Sequence, residues 1–389
     1  MAEKKNQRGR NGYHLLKIVI IGGGSIGLAS ALVCKRVGHS VTVFDPAGFE
    51  SKRAAIEMDS RVWALGPQSQ SLLEDLGAWN PNDRICAYQS MRVIDARSDA
   101  RVTFTDPTLG HMVEADWVRN QLLREVSGID IQCIQRSVQA ITPYGLITVD
   151  DDTMIEADLV IFAEGRAATT AVASGFEIVD GGYHQRAVIG TLHSQRPHHG
   201  EAFQIFTEHG PLALLPLPDC RGQHRVSLVW SLGKPIADDL QENPNKILAS
   251  LITQNSEFER GHLRFVGDPV WIPLSQQSLR QDALGCLLAI GDTSHGILPL
   301  AGLGANLGFA DVLALRATLE RHPKAGGDRI ARSVARERCV DQRTVALVMG
   351  LFSDVFRSDQ PLIQLGRSLA LRTANRYPMI RSLIQEMAG

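Results

Sequence analysis

The chain has 389 residues, of which 44% are hydrophobic and 21% charged, and its formal net charge is −2. That length accommodates two or more domains around a large core, and the lack of a basic excess argues against a nucleic-acid partner. Six scattered cysteines without a C-x-x-C pair point to reduced thiols in a cytoplasmic setting, not to a disulfide framework or zinc site, and no apolar run reaches transmembrane length.

Residues 1–14, with Lys4, Lys5, Arg8 and Arg10, read as a disordered leader. Lys17–Ile21 then predicts a β-branched strand, Leu28–Val37 a helix stopped by Gly38-His39, and Ser40–Phe44 a second strand ending in Asp45. Between the first strand and the helix lies Gly22-x-Gly24-x-x-Gly27. The three glycines serve a tight turn, backbone approach to a pyrophosphate, and close packing of helix on strand. Asp45, 18 residues beyond Gly27, is placed to accept hydrogen bonds from a ribose hydroxyl pair. The complete strand–turn–helix–strand–acid unit predicts a bound adenine dinucleotide.

Ser69–Leu76 reads as a helix capped by Gly77, and Val113–Val126 as another carrying Arg119. Arg61 has two readings, a solvated surface cation or a contact to cofactor phosphates or a flavin edge. Residues 176–232 are strand-rich, with strands expected over Ala187–Leu192, Glu201–Thr207, Leu212–Leu217 and Arg225–Leu232. His193, His198 and His199 read as exposed loop histidines, because no carboxylate or Cys stands at ligand spacing. Asp239–Asn255 predicts one helix, and Val270–Leu274 a short edge strand.

Leu287–Ile290 reads as a buried strand stopping at Gly291-Asp292, followed by a loop with Pro299, Gly302 and Gly304 and a helix opened by Asn306. Such a strand, acidic turn, glycine-rich loop and helix N-terminus suit a polar anionic ligand. From Arg321 to Gly389 there are 12 Lys and Arg against 6 Asp and Glu. The stretch Gln360–Gly389 reads as a basic amphipathic helix, either packed or lying on a membrane surface.

Gly22–Gly27 with Asp45, the turn at Ala163–Gly165, and the stretch 290–308 together resemble the FAD-dependent group A aromatic hydroxylases. The closer likeness is to the UbiH/UbiF/VisC-like and COQ6-like monooxygenases of ubiquinone biosynthesis, through Arg61–Leu65, Leu76–Trp79, Gly210–Asp219 and Ser227–Ser231. The resemblance implies an α/β fold: a Rossmann-like FAD-binding domain in three parts (15–80, 113–175 and 281–325), an inserted β-sheet substrate domain (81–112 and 176–280), and C-terminal helices (326–389). It implies FAD held by Gly22, Gly24, Ser25, Ile26, Gly27 and Asp45 at the ADP half, with Arg61 and Arg119 beside it. Gly291 and Asp292 would reach the ribitol-pyrophosphate region, and Pro299, Gly302, Gly304, Ala305 and Asn306 would line the isoalloxazine.

The implied chemistry is ring hydroxylation of a polyprenylated phenol or quinone precursor through a flavin C4a-hydroperoxide, with NAD(P)H and O₂ as co-substrates. The implied setting is cytoplasmic, with peripheral contact to the inner membrane surface or a quinone-biosynthesis complex. Against the family pattern, Glu164 replaces an Asp, and Leu298 and Leu303 replace polar residues. A hydroxylase of a soluble aromatic metabolite and a flavin-binding accessory protein stand as alternatives. A halogenase is disfavoured because no Trp-x-Trp-x-x-Ile stretch occurs.

Overall fold

The computed structural model describes residues 15–51, 58–82, 84–98, 100–180, 185–274, 277–296 and 303–339. The leader, Leu298, Pro299, Gly302 and the stretch Gln360–Gly389 lie outside these residues. In chain order, β1 (Lys17–Ile21), α1 (Ser25–Val37) and β2 (Ser40–Phe44) form the first unit. Gly38, at φ +107°, ends α1 by donating its N–H to the Lys35 carbonyl, a backbone conformation that favours glycine. There follow β3 (Val62–Leu65), α2 (Pro67–Asp75), β4 (Cys86–Asp95), β5 (Ala100–Glu114), α3 (Ala115–Ser127) and β6 (Gln132–Ile134). A small meander of β7 (Val138–Ile141), β8 (Leu146–Val149) and β9 (Met154–Glu156) precedes β10 (Leu159–Phe162), α4 (Thr169–Ala173) and β11 (Ile178–Asp180).

The strand-rich middle comprises β12 (Gln185–Ser194), β13 (Glu201–Thr207), β14 (Gly210–Cys220) and β15 (Gln223–Gly233), then α5 (Lys234–Gln241), α6 (Asn245–Asn255) and β16 (Leu263–Leu274). β17 (Gln277–Leu279), β18 (Ala283–Leu284), β19 (Leu287–Ala289), β20 (His295–Gly296), α7 (Leu303–Arg321) and α8 (327–339) complete the described chain.

Two large sheets organise these elements. The first has the order β18-β19-β10-β1-β2-β6, and β1 pairs in parallel with both β2 and β10. Its central strands are apolar along their whole length because helices cover one face and the meander the other: β10 is buried at every residue and β1 at all but Lys17. The second sheet has eight strands in the order β16-β12-β15-β14-β13-β4-β5-β3. One of its faces buries Phe203, Leu228 and Trp230 against Leu240, Leu248 and Ile252 of α5 and α6. On the opposite face Ala202, Ala213 and Leu215 cluster with Met58 and Ala64.

Three local expectations need revision. Asp239–Asn255 is two helices, because Pro244 has no N–H to donate and takes an extended ψ of 144°, so α6 begins afresh after it. The last long helix opens at Leu303, three residues before Asn306. His193 lies half-buried within β12, and His198 Nε2 contacts the Leu217 carbonyl at 2.8 Å, so of the three only His199 is an exposed loop residue. The six cysteines are all free, and burial pushes the Cys34 thiol up to about 12.

Two glycines fix how closely α1 and α7 approach their neighbours, with different tolerance. A Cβ on Gly27 would collide with the Gly22 carbonyl oxygen, a backbone atom, whereas one on Gly308 would lie 2.8 Å from Cδ1 of Ile26, the end of a flexible side chain. Gly27→Ala should therefore cost about 3 kcal/mol or more, and Gly308→Ala no more than about 1.5 kcal/mol. Thermal unfolding of the two variants in parallel checks the order; equal losses would contradict it.

Candidate functional site

Three turns meet at the carboxyl ends of β1, β10 and β19. The Gly22 N–H donates to the Phe44 carbonyl at 2.8 Å, the Ala163 N–H to Ile21 at 2.8 Å, and the Ile290 N–H to Phe162 at 3.0 Å. The parallel register of the strands thus sets the turns Gly22–Gly27, Ala163–Gly165 and Gly291–Thr293 side by side. Ligands of open α/β sheets bind at this end of the strands.

In the first turn, Gly22 sits at φ +113°, and any Cβ there would strike the Ala163 carbonyl. Around Gly24, in contrast, nothing lies within 4 Å of where a Cβ would be, and no side chain caps α1. The uncapped N–H groups at the start of this 13-residue helix, with the positive end of its dipole, face open space of the kind a diphosphate occupies. Ser25 is buried as the first residue of α1, and Ile26 packs against both Gly291 and Gly308. Asp45 accepts the Gly23 N–H on Oδ2 at 2.6 Å and the Ala47 N–H on Oδ1 at 2.7 Å. Each carboxylate oxygen keeps a second acceptor site for a ribose hydroxyl. These residues fit the adenosine diphosphate half of FAD.

Arg119 resolves into a brace. Its Nε donates to the Gly23 carbonyl at 3.0 Å, Nη1 to Glu50 at 3.0 Å and Nη2 to Gly48 at 2.9 Å. The planar fork of the guanidinium therefore ties the glycine turn to the loop after Asp45. Arg61 is exposed, and its guanidinium makes no hydrogen bond or ion pair with another described residue.

Glu164 explains why this turn tolerates the longer acid. Its carboxylate accepts the N–H groups of Thr170 at 3.1 Å and Ala171 at 2.7 Å, which are orphan donors in the first turn of α4. The neighbouring Gly165 is open to space on the side where a Cβ would stand, and its carbonyl accepts the Thr293 hydroxyl at 3.1 Å. Asp292, 42% exposed, lies 4.0 Å from Arg166 Nε across the same gap.

Behind the third turn is a buried charged cluster that the sequence motifs do not announce. Asp311 on α7 accepts the Gly291 N–H at 2.8 Å, holding that residue at φ +60°. The same carboxylate lies 2.6 Å from His295 Nε2 and 2.7 Å from Nε of Arg338 on α8. Burial opposes charge on His295, but Asp311, with Asp282 and Asp292 beyond it, raises the imidazole above its ordinary value. Burial would raise the Asp311 carboxyl, and His295 and Arg338 hold it below the usual range instead.

Gly304, Ala305 and Asn306 all lie in the first turn and a half of α7. Gly304 faces Asp292 Oδ1, and Ala305 packs on the cluster around Trp117 and Phe309. Asn306 is buried: its Oδ1 accepts the Gly66 N–H at 3.0 Å and the Ser69 hydroxyl at 2.7 Å, while Nδ2 donates to the Ala64 carbonyl at 2.8 Å. Its amide is a clamp between α7 and the β3–α2 corner, with both lone pairs of Oδ1 and one N–H of Nδ2 committed to the protein.

The sequence pattern of the FAD binding domain family matches residues 16–346. The chain belongs to that family. It is similar over 95% of its length to the ubiquinone hydroxylase UbiL of Rhodospirillum rubrum, at 26% identity and covering 89% of that protein. It is 28% identical to the 3-demethoxyubiquinol 3-hydroxylase of Escherichia coli, covering 94% of this chain and 96% of that one. It is also 26% identical to the mitochondrial ubiquinone biosynthesis monooxygenase COQ6 of Xenopus tropicalis, covering 96% and 93%. The expected likeness to the ubiquinone branch is thereby met. Among solved structures the fold resembles the flavin-dependent brominase Bmp2, with TM-score 0.76 at 14% identity over 96% of this chain and 93% of that one. It also resembles Klebsiella pneumoniae HpxO complexed with FAD and uric acid, with TM-score 0.71 at 15% identity over 99% and 98%. At these identities the structures speak to fold alone, and the expected α/β class stands.

Two outcomes follow from this geometry. Arg119→Lys keeps a cation but loses the three-pronged fork, and FAD retention on dilution should fall by about tenfold with little change in the far-ultraviolet spectrum. For His295, the folded-state pKa is raised, so its stabilisation is complete below its unfolded value near 6.5 and fades as pH rises through the folded value. The loss of melting temperature in His295→Gln should thus be largest in mild acid and shrink in alkali; a pH-independent loss would contradict the ion pair.

Proposed function

We propose that this chain is an FAD-dependent monooxygenase that hydroxylates the aromatic ring of a polyprenylated phenol or quinone precursor of ubiquinone biosynthesis, with NAD(P)H as reductant and O₂ as oxygen source. The observation that carries the reading is the convergence of three turns at one sheet end, in a chain similar along nearly its whole length to ubiquinone-ring hydroxylases. Bound FAD supplies the redox and oxygen chemistry. The chain itself binds, orients and excludes water.

The turn Gly22–Gly27 and Asp45 would hold the ADP half, with Arg119 bracing the loop from behind. Gly291 and Asp292, with the start of α7 at Gly304, would receive the other half, and Arg61 stands as an exposed cation at the margin. Pro299 and Gly302 are assigned to the same surround from sequence. The sheet face bearing Ala202, Ala213 and Leu215 offers an apolar floor for a ring and its prenyl chain, which removes water from the reacting centre. Only one dinucleotide fingerprint occurs, so NAD(P)H would visit the flavin without a domain of its own.

No helix among the described residues is long and apolar enough to cross a membrane. Peripheral contact through the basic stretch Gln360–Gly389, with Arg367, Arg372, Arg376 and Arg381, suits a lipid-borne substrate. A flavin-binding accessory protein without turnover is the second reading, favoured by Glu164, whose carboxylate is taken up by α4.

Anaerobic titration of the yellow protein with NADH or NADPH should bleach its flavin, and a flavin that stays oxidised with a panel of prenylated phenols present would select the accessory reading. Expression in a strain lacking a quinone-ring hydroxylase should restore quinone, and the intermediate accumulating without it identifies the ring position. Sedimentation with anionic liposomes should be lost when residues 360–389 are deleted; unchanged sedimentation would remove the tail from the proposal.

A further inference from the structure

On the helix-free face of the eight-stranded sheet, strand register lines up one residue from each of seven strands. The row runs Val270, Ile189, Val229, Ala213, Gln204, Val93, Val102, from β16 to β5. Six are apolar and mostly β-branched, as suits a pleated apolar floor. Gln204, in the interior strand β13, is the exception.

Gln204 is 8% exposed, and its amide makes no hydrogen bond to another described residue. The amide atoms themselves are not sealed from solvent space, so the amide presents an acceptor and two donors from an otherwise apolar floor to whatever water or ligand lies against it. Its cross-strand neighbour Ala213 is small. The adjoining row Leu215, Ser227, Thr191, Val266 adds hydroxyls but no charge, and the Thr191 hydroxyl is buried without a partner among the described residues. Neither row holds Lys or Arg, and in the next row Arg225 spends its Nε on the Pro218 carbonyl, so a carboxylate placed beside Gln204 would be a desolvated charge with no counter-ion in its own row. A phenol hydroxyl could both accept from and donate to the amide, and a quinone carbonyl could accept from it.

The floor is also tied to the cofactor side through one residue. Ala64 of β3 packs its side chain in the cluster with Ala213 and Leu215, while its carbonyl accepts the Asn306 amide of α7.

We propose that Gln204 is the specificity-determining residue that orients the ring by hydrogen-bonding an uncharged ring oxygen, a phenol hydroxyl or its quinone counterpart, and that the site discriminates against ring carboxylates. This rests on the ring-hydroxylase reading above. The test uses the full-length FAD-loaded protein and Gln204→Leu, with Gln204→Met as a second variant if the first does not fold. Each is titrated with a short-chain prenylated phenol, the same compound lacking the hydroxyl, and the matching benzoate, following the flavin absorbance.

The wild type should bind the phenol about tenfold more tightly than the deoxy compound, the worth of one buried hydrogen bond. In the variant that ratio should fall to within about twofold, with flavin content and melting temperature unchanged. A variant that keeps the tenfold ratio, or a wild type that prefers the benzoate, overturns the assignment to Gln204 while leaving the hydroxylase reading in place. A wild type that binds none of the three overturns the hydroxylase reading, and this assignment with it.

Discussion

Contact between backbone atoms at Gly22 and Gly27 is the constraint on which the rest of this structure depends. A Cβ at Gly22 would enter the Ala163 carbonyl, and one at Gly27 would enter the Gly22 carbonyl. Because neither exists, β1, α1 and the turn after β10 approach more closely than side chains allow. The start of α1 is thereby left uncapped beside a cleft, and its N–H groups and dipole face whatever enters. The same approach draws the Gly291 turn into line, since Ile26, on the same turn of α1 as Gly27, packs against Gly291 and Gly308.

A second device acts behind the Gly291 turn. Asp311 gathers the Gly291 N–H, the His295 imidazole and the Arg338 guanidinium around one buried carboxylate. A buried charge is costly unless paired and hydrogen-bonded, and here each carboxylate oxygen has a donor. The cluster couples α8 to a turn far upstream in the chain, so the end of the described chain supports the cofactor side without touching it. Asn306 works in the same sense: its amide links α7 to β3 and so links the nucleotide-binding layer to the sheet on which a substrate would lie.

Much of the first sheet was legible because its residues obey local rules. The β-branched run Ile18, Val19, Ile20 and Ile21 forms β1 as expected, and in the second sheet Glu201–Thr207 is a strand over the range its pattern indicated. Local rules also failed locally. The break at Pro244 follows from its missing N–H and was readable in principle, whereas Gly304 and Asn306, which the sequence placed before and at the helix start, lie inside α7. Arg119 could be picked out as a cation near the site, but its three carbonyl partners come from segments about seventy to a hundred residues away.

The amino-acid sequence by itself determined the dinucleotide unit, the two later turns and the family, since glycines at fixed spacing and an acid after the second strand are local steric and electrostatic requirements. Tertiary structure alone decided which polar side chains face a ligand and which hold the frame. Glu164 became a cap for α4, Asn306 a clamp, and Arg119 a brace, while the Gln204 amide has no hydrogen-bond partner among the described residues and stands on an apolar sheet face. The physical reason is that a hydrogen bond is decided by proximity in space, and strand register brings together residues that no spacing along the chain relates.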